Sequence, residues 1–217
     1  MSAARSALFA ALLCAGATTT ASAGEVYAGI GLPGAMIGYA QPLSSSITVR
    51  GDIASLGRYK ERRTEDGVPY EARIDAHRAG LFGDWFVAGG FRLTAGVTFN
   101  DVGADLEARG DGVTSWSIGN TTFVASPNDR FNVKVEYPKT TPYVGIGYGH
   151  HAASAGWGFV FDLGASIGKA TITETHSGPN MSMVPQADID REMEEVRDDV
   201  GRLKVIPQLS VGVNYRF

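Results

Sequence analysis

Four charged residues stand where charge is least expected. Arg50, Asp52, Arg92 and Asp162 each sit on the polar phase of a segment whose alternate residues are apolar. In a strand that pattern turns all four to one face. If that face is enclosed, the charges must pair or be hydrated. Two chemistries follow: a water-filled passage lined by charge, or a lock of ion pairs that fills the same space. Arg216 shares the polar phase of its own segment.

The adjacent pair His150-His151 invites a metal or a general base, with Ser154 and Asp162 as the nearest candidate partners in sequence. Neighbours on a strand point to opposite faces, so the pair cannot act together from one wall. The phase of Tyr148 carries His150 outward and leaves His151 on the polar side. His77 and His176 stand alone, and no H-E-x-x-H or P-loop occurs. No residue is put forward as catalytic, cofactor-binding or metal-binding. Cys14 is the sole cysteine.

The elements that must position the four charges are short alternating segments. In 157–169, Trp157, Phe159, Phe161, Leu163, Ala165 and Ile167 share one face. In 91–100, Phe91, Leu93, Ala95, Val97 and Phe99 do so. Segments 47–59, 143–150 and 209–217 alternate likewise, and 26–32, 36–43 and 70–85 do so more weakly, the first two flanking a turn at Pro33-Gly34. The phase of 70–85 breaks around His77-Arg78, where a bulge or a strand end clear of the membrane is expected. Each segment approximates the 9–11 residues of a tilted membrane strand, and eight is an even count.

The two ends agree with a membrane destination. Residues 1–23 carry Arg5, an apolar run from Ala7 to Ala17 and Ala21-Ser22-Ala23, which reads as a signal peptide. That leaves 24–217 as one barrel domain. The chain ends on Phe217, after Val211, Val213 and Tyr215 at every second position. The 28 glycines suit a crowded inner wall, and the net charge of −4, with no basic stripe, argues against nucleic acid.

Connections alternate between short (44–46, 86–90, 152–156) and long (61–69, 101–142, 174–205), the asymmetry of inner turns and outer loops. Within the long ones, 121–124 and 131–137 are β-prone and suggest a hairpin. Residues 188–204 read as a helix with Ile189, Met193, Val196, Val200 and Leu203 on one stripe, more simply packed on its own loops than reserved for a partner. Trp85, Phe86, Phe91, Trp157, Tyr215 and Phe217 gather near the short-turn ends of the strands as an interfacial girdle.

The chain therefore resembles the small Gram-negative outer-membrane β-barrel proteins of the OmpA/OmpW/opacity-protein type. The resemblance rests on the A-x-A leader, on Phe91-Arg92-Leu93-Thr94-Ala95-Gly96-Val97, on Pro142 to Gly149, and on the ending Val211 to Phe217. It implies an all-β fold, an eight-stranded antiparallel transmembrane β-barrel with a short helix in the last extracellular loop. It implies the cell outer membrane as location, and a terminal signal (Val211, Val213, Tyr215, Phe217) read by the barrel-assembly machinery. Expected partners are outer-membrane lipid, lipopolysaccharide and a surface ligand at the outer loops. The expected role is a non-enzymatic surface or membrane-structural one with a lumen plugged by ion pairs. The alternatives are a narrow channel for small or apolar molecules, or a lipid-modifying enzyme or protease.

Overall fold

The computed structural model describes residues 24–32, 34–65, 68–151, 155–200 and 204–217. The expected signal peptide lies outside them. The strands are β1 (Glu25–Gly31), β2 (Gly34–Pro42), β3 (Ile47–Glu65), β4 (Val68–Ala88), β5 (Phe91–Arg109), β6 (Ser115–Ile118), β7 (Thr121–Val124), β8 (Arg130–Glu136), β9 (Thr140–Tyr148), β10 (Gly156–Ile167), β11 (Thr171–Ser177) and β12 (Val205–Arg216). One helix, α1 (Gln186–Val200), follows a 3₁₀ turn at Met181–Met183.

Eight of these strands close on themselves in the order β1, β2, β3, β4, β5, β9, β10, β12, with β12 returning to β1 and every pairing antiparallel. Each overlaps one of the eight alternating segments. The alternation explains the closure: an eight-stranded sheet that buries its polar face inside leaves no edge for lipid to solvate. Ile37, Ile53, Leu81, Leu93, Phe159, Phe161 and Val211 stand exposed on the outer surface, while Arg50, Asp84, Arg92, Thr98 and Asn214 are buried within. This inside-out distribution defines a transmembrane barrel.

The wall is of unequal height. β3 and β4 remain paired as far as Glu65↔Val68, so 61–69 is mostly strand rather than loop. Cross-strand ion pairs continue the ladder there: Arg58 with Asp75 at 2.6 Å and Arg62 with Glu71 at 3.1 Å. β5 spends its first half on β9 and its second half on β8. Between those neighbours, Pro138 interrupts the strand; its carbonyl accepts from Asn100 Nδ2 at 3.0 Å. The expected hairpin of 121–124 with 131–137 does not form. Thr121–Val124 pairs with Ser115–Ile118, whereas Arg130–Glu136 pairs with β5 and β11. The turn Gly119, with φ +56°, supports the shorter loop.

The expected phase break at His77-Arg78 resolves on the neighbouring strand. β4 alternates without interruption from Arg78, buried, to Phe86, buried. The bulge lies in β3, between Ser55 and Gly57, where Gly57 takes φ +78°. Even-numbered residues thus point inward at Asp52 and Ala54, yet outward at Arg58, which pairs with the outward Asp75.

Above the tall side sits a cap with the chain's hydrophobic core: Val68, Ala108, Trp116, Ile118, Ala125, Met181, Val184, Ile189 and Met193. Helix α1 starts at Gln186, two residues earlier than its stripe suggests. Pro185 supplies the carbonyl that accepts from Asp188 and Ile189, and proline suits a first turn. Ile189 and Met193 are buried and Val196 packs on the same cluster, so the stripe is covered by its own protein. Lys204 lies outside the helix; the Val200 side chain and Leu203 fall outside the described residues.

Asp129 pins this cap. It is fully buried and accepts from the backbone N–H groups of Ser126, Asn180 and Met181 at 2.7, 3.0 and 3.2 Å. Burial opposes its ionisation, but the bonds from Met181, Ser126 and Asn180 outweigh it and hold its pKa below the ordinary carboxylate value. A depressed native pKa stabilises the cap above the unfolded pKa, about 3.9, and that contribution is lost as pH falls through the native value. Amide exchange at Asn180 and Met181 should therefore accelerate, beyond its intrinsic pH dependence, only below about pH 4. Asp129→Asn should show weaker protection already at neutral pH, and equal protection in the two proteins would refute the pin.

Candidate functional site: the charged lumen

The four sequence-flagged charges are brought together, and two more join them. Arg50 Nε donates to Asp84 Oδ2 at 2.8 Å and Arg50 Nη2 to Asp162 Oδ1 at 2.7 Å. Arg92 Nη2 donates to the same Asp162 oxygen at 2.8 Å. Its Nε lies 3.1 Å from Asp84 Oδ2 but is not aligned to bond. Arg78 Nη2 donates to Asp52 Oδ1 at 2.6 Å, and Asp52 faces Arg50 Nη1 at 3.9 Å. The result is one continuous set of three arginines and three aspartates, balanced in charge, with every side chain at most 10 % exposed.

Neutral groups complete the set. Tyr27 OH donates to Asp52 at 3.1 Å, Thr94 Oγ1 to Asp84 at 2.6 Å, and Arg78 Nη1 to Gln208 Oε1 at 2.6 Å. The Arg50 guanidinium sits 4.6 Å from the Phe82 ring centroid, and Phe82 meets Tyr143 edge-on at 4.9 Å. Toward the long-loop end, Thr98, Thr141, Ser166 and Gln208 form a hydroxyl-amide layer with bonds of 2.6–3.0 Å. Toward the end carrying Gly24 and Phe217, Glu25 bonds His150 Nδ1 and accepts from Asn214 Nδ2 at 2.7 Å.

His150 departs from expectation: it is buried inside, not outward. β9 ends at Tyr148, and Gly149 (φ +94°) with His150 (φ +63°) swings the chain over, so strand phase no longer applies. His151 is the exposed one and stacks on Phe86 at 4.6 Å. Phe86 itself faces inward, buried, and leaves the expected girdle. Trp85, Phe91, Trp157, Tyr215 and Phe217 remain on the outside. Tyr148 joins them through an edge contact with Phe91 at 5.1 Å, and Trp157 meets Tyr215 at 5.2 Å. Val211 and Val213 face outward, and Phe217 N–H donates to Gly24 O at 3.2 Å beside the β1–β12 closure. Arg216 is half-buried.

Glycine on the inner wall makes room for the network. A methyl group on Gly147 would overlap the Arg92 guanidinium and the Phe161 carbonyl. On Gly83, which is exposed, it would reach nothing nearer than 3.9 Å. Gly147→Ala should therefore cost about 1–3 kcal/mol. Gly83→Ala should stay within about 0.5 kcal/mol. Urea titration in lipid vesicles checks both, and equal costs would contradict the tight lumen.

A closed eight-stranded sheet, apolar outside and ion-paired inside, is a small transmembrane β-barrel of the outer-membrane kind. Crystal structures that share this fold include two from Acinetobacter baumannii. CarO of Acinetobacter baumannii is 19% identical, with a TM-score of 0.56 over 89% of this chain and 97% of that one. CarO2 of Acinetobacter baumannii is 17% identical, with a TM-score of 0.58 over 90% and 98%. No protein-family model matches the chain, and no curated protein sequence matches it.

Proposed function

We propose that this chain is a non-enzymatic outer-membrane protein whose lumen is sealed and whose cap is displayed at the cell surface as a binding element. The ion-pair network across the lumen is the observation that carries the reading. The Arg50, Arg78 and Arg92 side chains pair with Asp52, Asp84 and Asp162 across the interior. Opening a path would strand charges in a narrow space, which is costly. Among the described residues the His150–Glu25 pair has no hydroxyl partner, and Ser154 lies outside them. The leader-like 1–23 and the terminal Val211, Val213, Tyr215 and Phe217 support export and insertion by the barrel-assembly machinery. On that reading the termini are periplasmic and the cap is outside, with lipid and lipopolysaccharide around the apolar belt. The eight-strand closure supports the OmpA/OmpW/opacity-protein type.

Solute entry into proteoliposomes tests the reading. Glycine, arginine and glucose should enter no faster than into protein-free vesicles. Entry that rises with protein content would favour the narrow channel instead.

A further inference from the structure

A notch of about 360 Å³ opens at the rim of the barrel, where β10 gives way to β11. Lys169, Ala170, Thr171, Ile172 and Arg197 line it, so both charged lining residues are cations and no carboxylate lines it. Lys169 comes from the β10–β11 connection and Arg197 from the last turn of α1; both are exposed, and neither has an ion-pair partner among the described residues. Lys204 is a third, exposed cation beside them, placed by its carbonyl, which accepts from Gly168 N–H at 2.9 Å. The described carboxylates nearby do not cancel this charge. Glu136, opposite Thr171 on β8, lies 3.1 Å from Lys134, and Glu194 and Asp198 on α1 point to solvent outside the notch. The C-terminal end of α1 contributes about half a negative charge, too little to neutralise Lys169 and Arg197 together.

The notch stands directly above lipid-facing wall. The last pairs of the β10–β12 ladder are Leu163↔Leu209, Ala165↔Pro207 and Ile167↔Val205, and Leu163, Leu209, Ile167 and Val205 are exposed on the outer surface. Lys169 follows Ile167 by two residues, and Lys204 precedes Val205 by one. Cations that converge just beyond an apolar column match an amphiphile with an anionic head. An arginine and lysines together suit a phosphate, which accepts bidentate bonds and carries more than one charge.

We propose that this notch binds the phosphate group of a membrane lipid whose acyl chains lie on Leu163, Ile167, Val205 and Leu209. Which leaflet supplies that lipid rests on the orientation proposed above; the site itself does not.

Backbone amide resonances of Lys169 and Arg197 are followed with the protein in dodecyl maltoside micelles, which are uncharged and have no leaflets. Dimyristoylphosphatidic acid should move both signals to saturation. Dimyristoylphosphatidylcholine, with the same chains and a zwitterionic head, should not. Inorganic phosphate at about tenfold higher total concentration should not saturate the site, since it brings no chain to bury. Lys169→Gln and Arg197→Gln should each weaken the phosphatidic acid by about fivefold, the usual worth of one cation at a membrane surface. Lys60→Gln, which removes an exposed cation of β3 outside the notch, should leave it unchanged. No saturable shift would overturn the proposal, as would an equal response to phosphatidylcholine. Equal weakening by Lys60→Gln would mean diffuse attraction to the cap and would also overturn it. Saturation by inorganic phosphate would overturn the lipid as occupant. Protease access to the cap on intact cells reads the orientation separately, so a failure of that reading is distinguishable from a failure of the site.

Discussion

Arg92→Ala should lower the stability of the folded barrel by about 3–5 kcal/mol, the usual cost of leaving a buried charge without its partner. Arg92 is 1% exposed and lies between Asp84 and Asp162. Its removal leaves Arg50 to neutralise both carboxylates, from a guanidinium already committed to Asp84 and Asp162. Urea-dependent folding into vesicles measures the loss. Asp162→Ala should cost a comparable amount, and the double variant less than the sum, because the two changes remove one shared pair. Additive costs, or an Arg92→Ala barrel as stable as the parent, would show that water enters the lumen and screens these groups.

Phe161→Arg should cost about 2–4 kcal/mol, by placing a guanidinium in the hydrocarbon near mid-depth. Phe161 faces outward, and its neighbours Val160 and Asp162 face in. The same measurement serves. A Phe161→Arg variant that folds like the parent would mean that β10 has the opposite phase, and that Asp162 is not in the lumen.

Strand positions and strand faces are legible in the chain because a membrane barrel writes both in one period-two code. The segments around Phe161, Leu93 and Val213 carry it cleanly, and the lumen residues Arg50, Asp52, Arg92 and Asp162 follow from it. Asp84 and Arg78 are obscured by the apparent break at His77-Arg78, although β4 itself alternates without interruption from Arg78 to Phe86. Alternation misplaces His150 because a left-handed turn overrides it, and the Gly149 before it is the only cue. The tall wall resembles loops in sequence because Arg58, Lys60, Arg62 and Arg73 look like surface residues, although they lie on paired strands. Helix α1 is visible from Ile189 and Met193. Its burial partners, Trp116 and Ile118, lie in a distant part of the chain, so no local pattern links them.

Single-channel recording of the wild-type protein in a planar lipid bilayer tests the sealed lumen most directly. The six-charge network predicts a quiet baseline, with conductance steps appearing only when Arg92→Ala breaks the set. Steady conductance from the wild type, with Arg92→Ala changing only its ion selectivity, would contradict the seal and make the same charges the lining of an open pore.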